Sequence, residues 1–385
     1  MQTDVVELLQ KLVRIDSRNT RPLDSPGPRD SDEEAICAFL KDHLHCIGFQ
    51  TAVQYAAPRR PQLMAWNSQN QAWPTLVFQA HMDTVGTDGM VIDPFAAELR
   101  DGRVYGRGAC DTKGGMAAML VAMERLQRLQ LPLNLMFIGT CSEETGCEGA
   151  AQLDLGSWPI DGIIVGEPTS NQPVIAHKTN ILFELIATGK AAHGARPEAG
   201  CNAVYRMLDV INCLRSEIIP QLAAHEAAGF NGSTLSLGMI NGGTKVNIVP
   251  ERCSAFMDLR LVPLTQKPMD VLEGILLQVR RVTGIDVELA WTHLSPGFSI
   301  SRQHFLVKSL CDGLSESGVE PEVGTVSYCT DGGVFAERGC NVVVCGPGDI
   351  LNAHGAEEYI EVAELQQAVE IFMNTAKKFA VRAKR

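Results

Sequence analysis

The stretch "TLVFQAHMD" (residues 75–83) begins as an apolar run and ends in His81 and Asp83. Such a run, lacking the alternation of a half-exposed strand, reads as a strand buried on both faces. It is followed by "TKGGMAAMLVAMERLQRL" (112–129), with a helical pattern, and then by two more apolar runs that end in polar residues, "LNLMFIGTCS" (133–142) and "DGIIVGEP" (161–168). Strand, helix, strand and strand in this order predict an α/β fold around a mostly parallel sheet with both faces covered. Open sheets of this kind place their active sites beyond the C-terminal strand ends. His81, Asp83, Glu143, Glu144 and Glu167 all fall at such ends.

Outward from this centre, residues 4–14 carry apolar side chains at helical spacing, and a second helical pattern over 30–49 opens with Asp and Ser before an acidic first turn. The turn-rich segment 17–30 separates them. Near residue 179 the character changes. "ILFELIATGKAAH" alternates as a half-exposed strand, and the order strand, helix, strand, strand, helix, strand continues through residue 293. That order fits a smaller α+β unit, ferredoxin-like, with one antiparallel sheet and two helices. After 294 the α/β pattern resumes and closes with a long helix. The expected domains are therefore 1–178 plus 294–385, interrupted by an insert at 179–293.

A chain of 385 residues exceeds the size at which one core usually keeps growing, so two domains are expected on length as well. With 45% hydrophobic and 20% charged residues the composition is that of a globular protein. A net charge of -12 argues against nucleic acid or an anionic membrane as the main partner. The start "MQTDVVELLQ" lacks the basic-then-apolar order of a secretion signal, and the longest apolar stretch is too short to span a bilayer. The expected location is the cytoplasm. Twelve cysteines without a CxxC pair fit reduced, buried small hydrophobes.

The chemistry-bearing residues arrive in short motifs. In "HMDTV", His81 and Asp83 share one strand face, so Asp83 could orient the imidazole of a metal ligand, or the two could be an ordinary strand-end pair. "GRGACDTKGG" contributes Asp111, a candidate ligand or a helix N-cap. "SEETG" contributes Glu143 and Glu144, "GEPT" Glu167 and "NAHGAEEY" His354. Five nitrogen and carboxylate ligands exceed the three protein ligands of a single catalytic zinc and suit two metals sharing a carboxylate and a water. Such a site also needs a proton carrier. A carboxylate adjacent in sequence to a ligand carboxylate is well placed for that work.

With these motifs, and with "HGARPEAGCNAV" and "NIVPERC", the chain resembles the di-zinc aminoacylase and carboxypeptidase family that includes acetylornithine deacetylase and succinyl-diaminopimelate desuccinylase. The resemblance covers nearly the whole length. It implies that His81 and Glu167 complete one metal site, Glu144 and His354 the other, and that Asp111 bridges both. By the same resemblance Asp83 buttresses His81, Glu143 is the general base and acid, and His193 is the histidine that family members supply from the partner subunit to the oxyanion. Asn247 and Arg260 match substrate-contacting positions, with a turn residue and a sheet-surface ion pair as the structural alternatives. "HGA" at 193–195 departs from the family's "HSA" or "HSS" and removes a hydroxyl near the oxyanion region.

The resemblance further implies two Zn2+ ions, with Co2+ able to substitute, a homodimer formed through the insert as dimerisation or lid domain, and a small N-acyl-L-amino acid as substrate. The longer matches "IVGEPTSNQPVIAHK" and "VSYCTDGGVFAERGCNVVVCGPG" lean toward the acetylornithine deacetylase branch and hence toward arginine biosynthesis. A desuccinylase, an acetylcitrulline deacetylase, a dipeptidase or carboxypeptidase, and an inactive metal-binding scaffold are the alternatives. A nucleophilic hydrolase using Cys110 or Ser142 lacks a recognisable nucleophile motif.

Overall fold

In the computed structural model, residues 3–19, 32–227 and 229–382 are described; most of the turn-rich 17–30 segment lies outside them. The chain divides into two compact units, one containing residues up to Ala176, Phe298–Thr325 and the chain from Thr330, the other His177–Gly297 with Val326–Cys329.

In the first unit the strands Asn134–Thr140, Thr75–His81, Gly162–Val165 and Val342–Val344 lie side by side in that order and run parallel. All seven residues of Thr75–His81 and all seven of Asn134–Thr140 are buried. That accounts for their unbroken apolar runs, since both faces need cover. A hairpin of Gln50–Ala57 and Arg60–Trp66 extends the sheet antiparallel past Asn134–Thr140. The periodicity did not announce these two strands, because "APRRPQ" at their junction reads as turn and carries charge. The sheet is thus parallel at its centre and antiparallel at this edge, within an α/β fold of the expected class.

The helix Lys113–Gln127 is buried on nearly every side. It packs against Val362–Arg382, Val5–Val13 and the strand Thr75–His81. Each large apolar side chain enclosed there contributes about 1.5–3 kcal/mol. Its first turn presses on a strand end: a Cβ at Gly115 would stand 2.1 Å from the Gly166 carbonyl oxygen. Glu167 is the next residue, so this contact also sets the position of a candidate ligand. Gly115→Ala is expected to destabilise the fold by about 1–3 kcal/mol through overpacking. Urea unfolding of the variant measures this, and an unchanged midpoint would show that the strand end yields freely.

The second unit carries a four-stranded antiparallel sheet ordered Thr234–Gly242, Arg252–Leu261, Thr179–Thr188, Glu288–Ser295. The helices Ala203–Cys213 and Pro268–Thr283 supply its cover, with Met207, Val210, Leu272 and Val279 in a core shared with Phe183 and Leu259. Taken in chain order, the strands stand second, third, first, fourth across the sheet, the ferredoxin-like arrangement. Val326–Cys329 joins this unit through the Cys329 thiol, which donates to the Lys178 carbonyl at 3.1 Å. No helix among the described residues is long and apolar enough to cross a membrane.

Candidate active site

The parallel strands of the first unit deliver polar side chains to one edge. His81 ends its strand, Glu143 and Glu144 lie just past Thr140, and Glu167 lies just past Val165. Asp111 sits immediately before the helix Lys113–Gln127, and His354 comes from the loop ahead of Tyr359–Glu361. His81 Nε2 stands 2.9 Å from Asp111 Oδ1 and 3.7 Å from Glu167 Oε1. His354 Nε2 stands 3.1 Å from Glu144 Oε1 and 3.4 Å from Asp111 Oδ2. The two oxygens of Asp111 therefore face different imidazoles, each imidazole joined by one further glutamate. One ligand atom from each of His81, Asp111 and Glu144 lies within 4.8 Å of the others. The Asp111–Thr112 peptide is cis, and Thr112 rather than Asp111 is the N-cap of the helix.

Burial and crowding set the electrostatics. Burial, then the Asp111 charge, pushes Glu167 up to about 8. Burial likewise raises Glu144, again with Asp111 adding to it, and raises Glu143 well above the carboxylate range, with Glu167, Asp331 and Glu144 adding to what His81 relieves. For Asp111 burial is outweighed by the bonds from His354 and His81, which hold it below its usual value. His354 rises to about 10 through its hydrogen bonds to Asp111 and Glu144. In His81 burial opposes the charge, but Glu167, Asp111 and Asp83 together win and raise it. Three carboxylates so close together favour positive charge nearby, which is why both imidazoles are raised.

Asp83 touches both the imidazole and the turn. Its backbone carbonyl lies 2.9 Å from His81 Nδ1, with the carboxylate at 3.6 Å. The carboxylate also accepts the amides of Glu143 and Glu144 at 3.1 and 3.2 Å, so it orients the turn more directly than the ring. Ser142, Cys147 and His354 all have positive φ, near +58°, a conformation that costs a side-chain-bearing residue about 1–3 kcal/mol and clusters at functional sites. Glu143 is half-buried, and its Oε1 accepts from the Cys147 thiol at 3.6 Å.

Two supporting groups escaped the sequence. Glu358 is fully buried and accepts the backbone amides of Cys110 and Asp111 at 3.0 and 3.1 Å, while Arg107 pairs with its other oxygen at 2.6 Å. Asp331 accepts from Thr140 Oγ1 at 2.5 Å and Gln79 Nε2 at 2.8 Å beneath the strand ends, and burial lifts it to about 6. The only signal for either was its place inside a longer motif, "NAHGAEEY" or "YCTDGG".

The other three candidates lie in the second unit. His193 is exposed, in the short pairing Ala192↔Val249 and His193↔Ile248, and its Nδ1 accepts the Ala195 amide at 3.0 Å. Asn247 is exposed in the turn before Ile248–Val249. Arg260 is bound to Asp258 at 2.8 and 3.2 Å, the sheet-surface ion pair of the structural alternative.

With this geometry in view, similarities to known proteins carry weight. The model of peptidase family M20/M25/M40 matches residues 77–378. Acetylornithine deacetylase of Proteus mirabilis (strain HI4320) is 29% identical over 98% of this chain and 97% of its own length. The acetylornithine deacetylase of Myxococcus xanthus is 32% identical, with 96% of each chain covered. A solved M20 family metallo-carboxypeptidase from Sulfolobus solfataricus superposes with a TM-score of 0.79 at 20% identity, covering 98% of this chain and 100% of that one. Fold, site and relatives define a hydrolase acting on amide bonds. The chain belongs to peptidase family M20/M25/M40.

Proposed function

We propose that this chain deacylates a small N-acyl-L-amino acid, with N2-acetyl-L-ornithine as the leading substrate, yielding L-ornithine and acetate. The observation that carries the assignment is the Asp111 carboxylate set between two imidazoles, with Glu143 beside the ligand Glu144. The donor set fits two divalent cations. It offers two imidazoles and three carboxylates, and among the described residues the buried Glu167 Oε1 has no hydrogen-bond partner, as a ligand atom awaiting an ion would have none. His81 and Glu167 would hold one Zn2+, Glu144 and His354 the other, with Asp111 between them and Co2+ able to substitute. Such ions, held there, would lower the pKa of a water at the site and polarise the scissile carbonyl. Glu143 takes the proton of the attacking water and hands it to the departing amine, so one carboxylate serves as base and then acid. Asp83 holds the amides of Glu143 and Glu144, fixing their directions.

His193 is assigned to the developing oxyanion, and Asn247 and Arg260 to the substrate, with Arg260 exchanging Asp258 for a substrate carboxylate. The domain boundaries at 178 and 294 and a homodimer formed through the insert belong to the same proposal. Support for the dimer comes from Thr234–Gly242, an outer strand of its sheet with Leu237, Met239 and Ile240 exposed, since such edges are normally covered. Among the described residues no cysteine is in a disulfide, and a cytoplasmic setting in arginine biosynthesis belongs to the same proposal.

Chelation is expected to abolish turnover, and added zinc or cobalt to restore it. An ion and a proton compete for the same atoms, so ion affinity rises with pH. Activity that survives complete chelation would sink the metal assignment. The metal-loaded protein should hydrolyse acetylornithine faster than acetylcitrulline, succinyl-diaminopimelate or dipeptides. Turnover of dipeptides alone would replace the deacylase with a peptidase, and two bound ions without any amide hydrolysis would favour a scaffold.

A further inference from the structure

We propose that the buried Arg60–Glu33 pair is a positioning device for the turn at 142–144, holding Glu143 and Glu144 in their working directions. The proposal rests on the catalytic role of Glu143 and the ligand role of Glu144. Arg60 is 1% exposed and Glu33 fully buried, and Arg60 Nη1 is hydrogen-bonded to Glu33 Oε2. Taking two charges out of water costs as much as their attraction returns, so such a pair is weak evidence of stabilisation and its purpose lies in the groups it holds.

Those groups belong to the segment on either side of the two glutamates. Glu33 Oε1 accepts the Ser142 amide at 3.2 Å. Arg60 Nη2 donates to Asn19 Oδ1 at 2.8 Å, and Asn19 Nδ2 donates to Ser142 Oγ at 3.1 Å and Thr145 Oγ1 at 3.3 Å. The Arg60 carbonyl accepts from the Cys141 thiol at 3.6 Å. Three consecutive amides, 142 to 144, therefore end on two buried carboxylates, the first on Glu33 and the next two on Asp83.

Ser142 is where such restraint is needed. Its φ of 58° is left-handed, and a residue with a Cβ stays there only when its surroundings over-determine it. Rotation at Ser142 would swing Glu143 and Glu144 together. Asp83 holds the two amides beyond this hinge, while Glu33 and Asn19 hold the hinge residue itself. Glu33 precedes the helix Glu34–Cys46 and Arg60 opens the strand Arg60–Trp66, which lies between Gln50–Ala57 and Asn134–Thr140, so the pair ties two further elements to the catalytic turn. Arg60 and Glu33 act through Ser142 and Asn19, as positioning residues.

Two variants test this. Glu33→Leu with Arg60→Met removes the pair without stranding a charge, and Glu33→Gln keeps an acceptor for Ser142 while breaking the ion pair. In the folded double variant kcat is expected to fall about ten- to hundredfold, the usual cost of losing a group that orients a ligand. KM should stay within about twofold, because the loss falls on the chemical step. The visible absorption of the cobalt-loaded protein should change as well, since Glu144 turns. A lowered melting temperature with wild-type kcat and an unchanged cobalt spectrum would overturn the proposal. If the double variant does not fold, Glu33→Gln decides on the same readouts, with a smaller loss of kcat expected and wild-type values overturning it. Full turnover in Glu143→Gln would instead refute the role of Glu143, leaving the cobalt spectrum to report on the direction of Glu144.

Discussion

Glutamine in place of Glu143 is expected to lower kcat about a hundred- to ten-thousandfold while leaving metal content intact. The amide keeps the size of the side chain but cannot accept a proton from water. Among the described residues neither candidate ligand imidazole hydrogen-bonds Glu143, whose Oε1 accepts from the Cys147 thiol at 3.6 Å. Removing its charge therefore leaves the ligand atoms where they are. Burial, aided by Glu167, Asp331 and Glu144, raises its carboxyl above the usual range, with His81 acting against them. As pH falls through this raised value the carboxylate takes up a proton and can no longer serve as base, so with metal kept saturating the acidic limb of kcat/KM should weaken in the variant. Steady-state kinetics with metal analysis on the same sample measures both parts. Normal turnover would remove Glu143 from the role.

Asp111→Ala is expected to be equally damaging for a different reason: it should remove the metals. One Asp111 oxygen faces His81 and the other His354, so a single substitution strips a ligand from both candidate sites. Metal content should fall from two ions per chain to less than about one, with turnover lost alongside, because the proposed chemistry needs both ions. Glu167→Ala touches only the His81 side and should leave one ion bound. Full occupancy by two ions in Asp111→Ala would show that the carboxylate does not bridge. Elemental analysis of dialysed protein, with the Glu167 variant alongside, separates these cases.

Much of this was legible in the chain because the centre of the sheet is buried on both faces. The runs 75–81 and 134–140 must be apolar nearly throughout, whereas the residues at and beyond their C-terminal ends are free for chemistry instead of packing, so His81 and the two glutamates stand out. The hairpin over 50–66 was hidden for the opposite reason. At a sheet edge the pattern weakens, and Pro58, Arg59, Arg60 and Pro61 mimic a loop although Arg60 is buried. Asp83 shows the limit of spacing. Two residues apart on a strand implies one shared face, yet past Thr140 the neighbouring chain turns, and the amides of Glu143 and Glu144 come closer to the Asp83 carboxylate than the imidazole does.

By itself the sequence determined the α/β class, the ferredoxin-like insert and the candidate nitrogen and oxygen donors, because periodicity and residue type are local properties written along the chain. Only the tertiary structure decided which oxygen of Asp111 faces which imidazole, that Asp83 serves the turn, and that Arg60 with Glu33 and Arg107 with Glu358 stand behind the site. Those facts depend on distances between residues up to 251 positions apart. A buried ion pair has no local signature, since either partner alone reads as a solvated surface charge until the fold closes over both.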